Sequence, residues 1–331
     1  MTRGINILMN LPIFCDLRHF QKESQNKMIR LDDPSCFGHH RSGWNFCKNI
    51  IKEFTSDSGI LCLNYVDGFF GSGNESTEPW IGFIHNTPFH PEHYRDIFTV
   101  NESKNGATNP LSKLVGLPNF RKSIRYCRGI FTLCRYTATY LINHTGLDVD
   151  VIYHPTEQSE MKFDFNKFKK NSEIYTIGHW LRNFQSTYDL ISPYQKYIID
   201  VSGNLEKISI ERNDTVKIKT YLENKEYDEL LSRVVVFLDL YDVAACNTII
   251  ECIERNTPII TRRLPASEEY LGKNYPLFFD SMFEAASLLN ENKILEGHNY
   301  LRQLEKIHIS GKKFREGFLS SKTIRRFKNM M

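Results

Sequence analysis

A short helix with an acid on its polar side is predicted over 248–255, within the sequence NTIIECIERNTPII. Asn247 is suited to cap this helix, because its side chain can accept a hydrogen bond from the free N–H groups of the first turn. At 100° per residue, Glu251 falls opposite the apolar face. One interpretation pairs Glu251 with Arg255 in solvent, at i,i+4 spacing. The other places Glu251 at a ligand, because the helix follows the buried strand VVVFLDL and open α/β sheets bind ligands at the carboxyl ends of their strands.

The chemistry offered by the second interpretation is nucleotide recognition. A carboxylate in the first helical turn can accept hydrogen bonds from both hydroxyls of a ribose. The free N–H groups of that turn, around Asn247 and Thr248, can face a diphosphate. The acids and bases at the end of the same helix, Glu254 and Arg255, are expected to face solvent.

The segment YTIGHWLRNF (175–184) offers a second phosphate site. Gly178 follows a predicted strand directly and permits close approach of the backbone to a phosphate. Arg182, one turn later, can pair with a diphosphate in a bidentate way. Trp180, between them, is assigned to the same donor-binding set. The alternative is an ordinary turn with an arginine on the surface.

Candidate residues for the reacting end lie in the first half of the chain. His85 ends the strand in PWIGFIHNTP, where it can donate to a hydroxyl or act as a general base, unless it is a structural histidine. Asp67, in NYVDGFFG, is the other candidate base, and it is equally suited to form a turn. Ser42 and Gly43 precede a predicted helix in GHHRSGWNF, where they either line the acceptor side or only cap the helix.

Three further motifs are discounted. Asp148 and Asp150 form a D-x-D sequence, but this runs into a strand at a domain boundary. The histidines of HNTPFHPEH, including His90 and His93, have zinc-like spacing without a cysteine or a fourth ligand nearby. GSGNES lacks the third glycine and the following helix of a dinucleotide fingerprint. No metal site is predicted.

The elements that must position these residues alternate between apolar runs and amphipathic stretches, which is typical of parallel sheets covered by helices. The expected strands lie at 5–9, 60–66, 81–85, 130–133, 150–153, 174–178, 234–240 and 258–261, and the expected helices at 44–54, 119–126, 136–144, 226–233 and 248–255. A polar stretch separates two halves. The predicted organisation is an N-terminal domain (1–155), a linker (156–173), a C-terminal domain (174–310) and a terminal helix (311–331).

Length and composition set the class of protein. With 331 residues, the chain is long enough for two domains, each with its own core. The net charge of +3 is small, and the basic residues are spread out, so a dedicated nucleic-acid binder is not expected. Eight cysteines without a C-x-x-C motif indicate buried thiols in a reducing compartment. No apolar run approaches the length of a membrane span, and the start of the chain is interpreted as a strand.

The second half also resembles a known family. The sequence IIECIERNTPII resembles, without a gap, the LLEAMACGLPVV pattern in the donor-binding signature of GT-B glycosyltransferases, and the ribose-binding glutamate of that family falls on Glu251. The earlier acid of the family falls near Asp242, with aspartate in place of glutamate and a spacing one residue longer. The resemblance also implies that the 178–182 loop holds the leaving diphosphate and that His85 lies near the reacting sugar.

The following sequence, RRLPASEEYLGKNYPLFF, resembles a bacterial and viral subset of these enzymes that carries LPA, EYLG and YPL at this place. That subset has a loop that contacts the donor. The loop maps onto four consecutive residues of this chain, namely Pro265, Ala266, Ser267 and Glu268.

The resemblance implies an α/β fold with two Rossmann-like domains that face a central cleft, and a terminal helix that crosses back to the first domain. The implied activity is hexosyl transfer from a nucleoside diphosphate sugar to a hydroxyl of a glycan or other acceptor, without a metal or a resident cofactor. We expect glycan synthesis in the cytoplasm, or in the host cytoplasm if the protein is viral.

Other functions stay open from the sequence. An epimerase or hydrolase of nucleotide sugars would use the same fold without an acceptor. A non-catalytic nucleotide-binding or sugar-binding subunit would keep the Glu251 site without turnover. A DNA-modifying glycosyltransferase is disfavoured by the lack of a basic patch. The sugar, the base, the acceptor, the stereochemistry of transfer and the oligomeric state are not determined by these patterns.

Overall fold

The computed structural model describes residues 28–32, 41–91, 110–201 and 203–328. Within these ranges the chain forms two sheets, one of five strands and one of six. The strand predicted at 5–9 lies outside the described residues, as does His93.

The first sheet is parallel throughout and has the strand order β1-β2-β3-β4-β5. Its strands are β1 (Ile29–Leu31), β2 (Ile60–Leu63), β3 (Trp80–Ile84), β4 (Cys127–Thr132) and β5 (Val149–Val151). Strands β2 and β3 are buried along their whole length, which explains why they consist of continuous apolar residues. The sequence analysis missed β1, a strand of only three residues.

Short helices connect these strands: α1 (Trp44–Lys52), α2 (Val66–Gly71), α3 (Leu111–Leu114), α4 (Pro118–Ser123) and α5 (Arg135–Thr145). The strand predicted over 60–66 stops earlier than expected, because the chain turns after Leu63 and enters α2. Helix α5 ends at Gly146, whose φ of 65° belongs to the left-handed region that stops helices.

The second sheet is also parallel and has the order β11-β10-β9-β6-β7-β8. Its strands are β6 (Glu173–Ile177), β7 (Gln195–Ile199), β8 (Val216–Lys219), β9 (Val235–Leu238), β10 (Ile259–Arg262) and β11 (Phe278–Phe279). From β6 the chain first adds strands on one side and then, from β9, on the other. The order therefore reverses between β6 and β9, and open α/β sheets bind ligands outside the carboxyl ends of the strands at such a point.

The helices of the second half are α6 (Phe165–Asn171), α7 (Phe184–Asp189), α8 (Asn224–Leu231), α9 (Asn247–Arg255), α10 (Pro265–Leu271), α11 (Met282–Ser287) and α12 (Glu291–Gln303). Helix α6 lies inside the predicted linker, and the side chain of Asp164 caps it. Helix α9 begins one residue earlier than predicted, so Cys246 occupies the cap position that was expected for Asn247.

The last two helices of the described residues are α13 (Gly311–Ser320) and α14 (Lys322–Lys328), where one terminal helix was predicted. The Phe318 ring of α13 packs at 6.2 Å from Phe83 and 5.4 Å from Phe131 (ring centroids), both in the first sheet. The terminal segment therefore crosses back to the first domain, as predicted. Asp150 accepts the N–H groups that begin α14, and Asp148 pairs with an arginine of α14, so the D-x-D sequence has a structural role.

The sequence predicted buried cysteine thiols and no membrane-spanning segment. The six cysteines of the described residues are free thiols, and all of them except Cys127 are buried. No helix in the described part of the chain combines the length and the apolar character that a membrane crossing requires.

Candidate active site

A cleft lies at the point where the strand order of the second sheet reverses. The loops after β6 and β9 form most of its wall, and the loop after β3 forms the rest. Its lining residues are His85, Thr87, Trp180, Leu181, Arg182, Asp242, Val243, Ala244, Ala245 and Cys246. The cleft therefore lies between the two sheets, and it brings together four predicted residues: His85, Trp180, Arg182 and Asp242.

The loop after β6 is folded so tightly that it needs Gly178. The φ of Gly178 is +83°, and a Cβ atom there would stand 2.8 Å from Nη2 of Arg182. Leu181 also has a positive φ, 57°, and its carbonyl accepts the N–H of Tyr241 at 3.0 Å. This backbone conformation sets the direction in which Arg182 leaves the loop.

The guanidinium group of Arg182 is held by neutral backbone groups and short side chains. Nε donates to the carbonyl of Ile177 at 3.0 Å, and Nη1 donates to the carbonyl of Trp180 at 2.6 Å. Nη2 lies 3.2 Å from Sγ of Cys246 and 3.3 Å from Oγ1 of Thr248. None of these four partners is a carboxylate, so they orient the positive charge without neutralising it.

The N-terminus of α9 lies beside this guanidinium. Its cap residue, Cys246, makes no side-chain hydrogen bond to the helix, so the N–H groups of the first turn are not capped from that position. A helix N-terminus carries a partial positive charge. Together with Arg182, it makes this end of the cleft suitable for an anion.

His85 is fixed in one tautomer. Its Nε2 lies 2.9 Å from the carbonyl oxygen of Asn64, and because a carbonyl only accepts, Nε2 carries the proton and Nδ1 is left as an acceptor. Burial lowers the pKa of the ring to about 4, so the ring is neutral near pH 7. The rings of Trp44 and Tyr65 pack edge-on against it at 4.3 and 5.0 Å.

Asp67 lies behind His85 and not among the cleft-lining residues. It is fully buried in the first turn of α2, and its Oδ2 accepts the backbone N–H of His85 at 2.8 Å. Burial raises the pKa of its carboxyl group to about 7. The structure therefore shows Asp67 as a support for the position of His85.

Asp242 connects the two halves at the cleft. Its Oδ1 accepts the N–H of Val243 at 2.8 Å, and its Oδ2 accepts the hydroxyl of Tyr136, from α5, at 3.3 Å. Burial raises the pKa of its carboxyl group. The sequence analysis did not identify Tyr136, because nothing in α5 distinguishes this tyrosine from its neighbours.

Glu251 is buried, with 2% of its surface exposed. Its Oε1 accepts the hydroxyl of Ser42 at 2.6 Å and the N–H of Ser42 at 3.2 Å, and its Oε2 accepts the hydroxyl of Tyr227 at 2.6 Å. Ser42 was predicted for the acceptor side, yet it contacts the donor half. Gly43 directly precedes α1 with an extended backbone. Tyr227 was not predicted.

The expectation that Glu254 and Arg255 face solvent is wrong. Arg255 is fully buried and donates to the carboxylate of Asp228, while only its Nη1 reaches Glu251, at the backbone carbonyl. Glu254 accepts Nζ of Lys162 at 2.6 Å. The linker and α8 cover the polar side of α9, and helical periodicity carries no information about what lies over that side.

Residues 265–268 form the first turn of α10 and do not line the cleft. Pro265 is in the first turn, Ala266 and Ser267 are fully buried, and Glu268 pairs with Arg263 at 2.9 Å. The hydroxyl of Ser267 has no hydrogen-bond partner among the residues that the structure describes.

The next residue, Glu269, makes the contact that the sequence analysis missed. Its carboxylate accepts the N–H groups of Arg135 and Tyr136 at 2.7 and 2.9 Å, and so caps α5 of the first half. No local pattern separates Glu269 from Glu268, because the partner helix lies more than 130 residues away along the chain.

No group of three or more His, Cys, Asp or Glu side chains that could hold a metal ion occurs within residues 28–32, 41–91, 110–201 and 203–328. The candidate site in this part of the chain consists of the Arg182 guanidinium, which none of its four partners neutralises, the α9 N-terminus, the neutral His85 and the buried acids.

Comparisons with known proteins assign the fold. No protein-family model and no curated protein matches the sequence. Among solved structures, HepE of Anabaena in complex with UDP and glucose is 11% identical, with 84% of this chain and 82% of that chain covered and a TM-score of 0.58. Sucrose-phosphate synthase of Thermosynechococcus elongatus is 12% identical. The match covers 95% of this chain and 91% of that chain, with a TM-score of 0.53. The trehalose-6-phosphate synthase OtsA is 8% identical. The match covers 84% of this chain and 76% of that chain, with a TM-score of 0.54. The chain has the GT-B fold, as the sequence predicted.

Proposed function

We propose that this protein is a glycosyltransferase that moves a sugar from a nucleoside diphosphate sugar to a hydroxyl group of an acceptor, in glycan synthesis. The observation that carries the proposal is the Arg182 guanidinium, which no carboxylate neutralises among its four partners, beside the N-terminus of α9. The fold supports it, because HepE has been crystallised with UDP and glucose.

The diphosphate would lie against Arg182 and the first turn of α9, which begins at Asn247 and Thr248. Gly178 allows a phosphate to approach the backbone of the loop. When the bond between the sugar and the diphosphate breaks, negative charge develops on the leaving group. Arg182 and the helix dipole are already oriented toward that charge, which supports catalysis without a metal. Transfer is therefore expected to continue in the presence of EDTA.

The sugar would lie at the His85 end of the cleft. With a pKa of about 4, His85 is a weak base at neutral pH, so its role is to accept a hydrogen bond from a sugar hydroxyl at Nδ1. Asp67 keeps it in place through the backbone. Asp242 offers a second acceptor for sugar hydroxyls, and Trp180 forms the wall beside Arg182.

The ribose would bind Glu251, in keeping with the resemblance of the α9 segment. Both carboxylate oxygens are occupied by protein groups, so ribose binding requires one of these groups to leave. Residues 265–268 lie away from the cleft lining and are not included in the proposed site.

The test begins with thermal unfolding of the wild type in the presence of nucleoside diphosphates and their sugars. A ligand that binds the folded state raises the midpoint by mass action. We expect a shift with at least one nucleoside diphosphate, and a smaller shift in Glu251→Ala. If no nucleotide raises the unfolding midpoint of the wild type, the proposed donor pocket is wrong.

The stabilising donor is then incubated with and without hydroxyl acceptors, and the products are followed by NMR. Sugar transfer that depends on an acceptor supports the proposal. A rearranged or released sugar without an acceptor would identify an epimerase or a hydrolase. Binding without any turnover would identify a non-catalytic subunit.

A further inference from the structure

The carboxylate of Glu251 is held by groups from both halves of the molecule. Tyr227 belongs to α8, in the same half as Glu251, and its hydroxyl donates to Oε2 at 2.6 Å. Ser42 belongs to the first half, 209 residues away along the chain, and its hydroxyl donates to Oε1 at 2.6 Å. The two oxygens therefore differ in what must move to free them.

Tyr227 is built into its own half. It is 2% exposed and belongs to the apolar core of the second sheet, together with residues of β9 and α9. Burial raises the pKa of its hydroxyl well above the usual value, so the hydroxyl is a permanent donor at neutral pH. Movement of one half against the other would leave the contact between Tyr227 and Oε2 intact.

Ser42 is fully buried and contacts the second half through hydrogen bonds. Besides Glu251, its hydroxyl lies 3.3 Å from the carbonyl of Asn247. The neighbouring Arg41 pairs with Asp228 at 2.9 Å, but the Arg41 side chain is 32% exposed. Of the two contacts to the Glu251 carboxylate, the one from Ser42 is therefore the one that a separation of the halves would break.

Neither Glu251 nor Ser42 lines the cleft, and because Tyr227 stays with its own half, Oε1 is the oxygen that a ribose hydroxyl would reach once Ser42 has moved. With 2% of Glu251 exposed, the hydroxyl and the N–H of Ser42 cover the oxygen that Tyr227 leaves available. A sugar hydroxyl is chemically equivalent to the serine hydroxyl, because both donate one O–H to a carboxylate.

We propose that Tyr227 is a positioning residue that orients Glu251 for the ribose, and that the Ser42 hydroxyl occupies the position of a ribose hydroxyl until the donor displaces it. The inference rests on the proposed function, since it assigns a second role to the same pocket. It predicts opposite effects for two hydroxyl deletions on the two sides of one carboxylate.

The test compares ribose recognition between variants by isothermal titration calorimetry. The ligands are UDP, ADP and GDP, their 2′,3′-dideoxy forms, and pyrophosphate. For the base that binds, the wild type is expected to prefer the ribose form over the dideoxy form by about tenfold, which corresponds to about 1.4 kcal/mol. Tyr227→Phe should reduce this preference several-fold. Ser42→Ala should increase it, because the competing hydroxyl is gone. Pyrophosphate affinity should not change in either variant.

Matched controls separate these effects from a loss of stability. Tyr275→Phe removes another buried tyrosine hydroxyl of the second half, which accepts the N–H of Ile259 at 3.0 Å. Ser123→Ala removes a buried serine hydroxyl of the first half, which accepts the N–H of Ser76 at 2.9 Å. Both controls should keep the wild-type preference for ribose.

Three results would overturn the inference. These are an unchanged ribose preference in Tyr227→Phe, a weaker preference in Ser42→Ala, or equal affinity of the wild type for ribose and dideoxy forms. In each case a nucleoside diphosphate still binds, and the proposed function stands. If neither pyrophosphate nor any nucleoside diphosphate binds the wild type, the proposed function fails together with the inference.

Discussion

His85 and Asp67 have protonation properties opposite to those of the free side chains. Burial lowers the pKa of His85 to about 4 and raises that of Asp67 to about 7, whereas the free groups have pKa values of about 6.5 and 3.9. Between about pH 4 and pH 6.5, both groups are therefore mainly neutral in the folded protein and mainly charged in the unfolded chain. A neutral ring is what the proposed function requires of His85, which there accepts a hydrogen bond from a sugar hydroxyl.

The two groups have opposite effects on stability as the pH changes. The folded pKa of His85 is depressed, so its contribution is lost as the pH falls from about 6.5 to about 4. The folded pKa of Asp67 is raised, so its contribution is present at low pH and is lost as the pH rises from about 4 to about 7. In the wild type these effects largely cancel over the shared range.

Asp67→Asn should remove the pH dependence of stability that comes from Asp67 and leave the one that comes from His85. The free energy of unfolding of the variant, relative to the wild type, is expected to increase with pH between about 4 and 7, by up to roughly 1 kcal/mol per pH unit. Above about pH 8, where Asp67 is ionised in the folded state as well, the difference should be constant. Urea unfolding at several pH values measures it, with the exposed Asp57→Asn as a control that should run parallel to the wild type. A constant difference from pH 4 to 7 would contradict the assigned protonation state.

At the scale of elements, the loop after β6 connects backbone conformation to the position of the Arg182 guanidinium, the charge that we propose binds the diphosphate. Gly178→Ala introduces a Cβ at a positive φ and 2.8 Å from the guanidinium of Arg182. The backbone strain is expected to cost about 1 kcal/mol of stability, and the displaced Arg182 should weaken pyrophosphate binding. Chemical denaturation and calorimetry measure the two effects separately.

Gly146→Ala is the matched control for this change. Gly146 also has a positive φ, 65°, but a Cβ added there would meet no atom within 4 Å, and the residue ends α5 away from the cleft lining. The variant should lose similar stability and keep full affinity for pyrophosphate. Equal losses of affinity in both variants would show that the loop acts only through stability.

The elements that the sequence predicted are those with continuous apolar runs, such as β9 and β10. It missed β7 and β8, where lysines interrupt the pattern. Lys196 of β7 is 5% exposed and donates to the carbonyls of Tyr188 and Leu190 at 2.8 and 2.9 Å. A buried lysine satisfied by loop carbonyls cannot be distinguished from a solvent-facing lysine by its position in the sequence.

At the scale of the whole molecule, helix α13 of the terminal segment packs on the first sheet. Phe318 is fully buried against Phe83 and Phe131. Phe318→Ala is expected to reduce the free energy of unfolding by about 3–5 kcal/mol, because it removes a large buried side chain and leaves a cavity. Phe283→Ala, at an 87% exposed phenylalanine, should change stability by less than about 0.5 kcal/mol. Similar values for both variants would contradict the packing of the terminal helix on the first sheet.

The contacts between the halves were beyond prediction from the sequence for a physical reason. Glu251 was predicted to bind the donor, and Ser42 was predicted to line the acceptor side. The structure joins their side chains by a hydrogen bond, although 209 residues separate them along the chain. Helical periodicity and cap signals describe local structure, whereas these pairs depend on how two sheets face each other. The proximity of Arg182 to the start of α9 was predictable, because Gly178, Arg182 and α9 all follow strand ends of one parallel sheet.

The central claim is that Arg182 and the N-terminus of α9 bind the diphosphate of a nucleotide. Calorimetric titration of UDP, ADP and GDP into the wild type and Arg182→Ala tests it most directly, with Arg233→Ala as the control, since Arg233 pairs with Glu173 at the opposite end of β6. We expect at least one nucleotide to bind the wild type and Arg233→Ala equally. Arg182→Ala should bind it about 10- to 100-fold more weakly, because charge-assisted hydrogen bonds are lost. Wild-type affinity in Arg182→Ala, or no binding by the wild type, would contradict it.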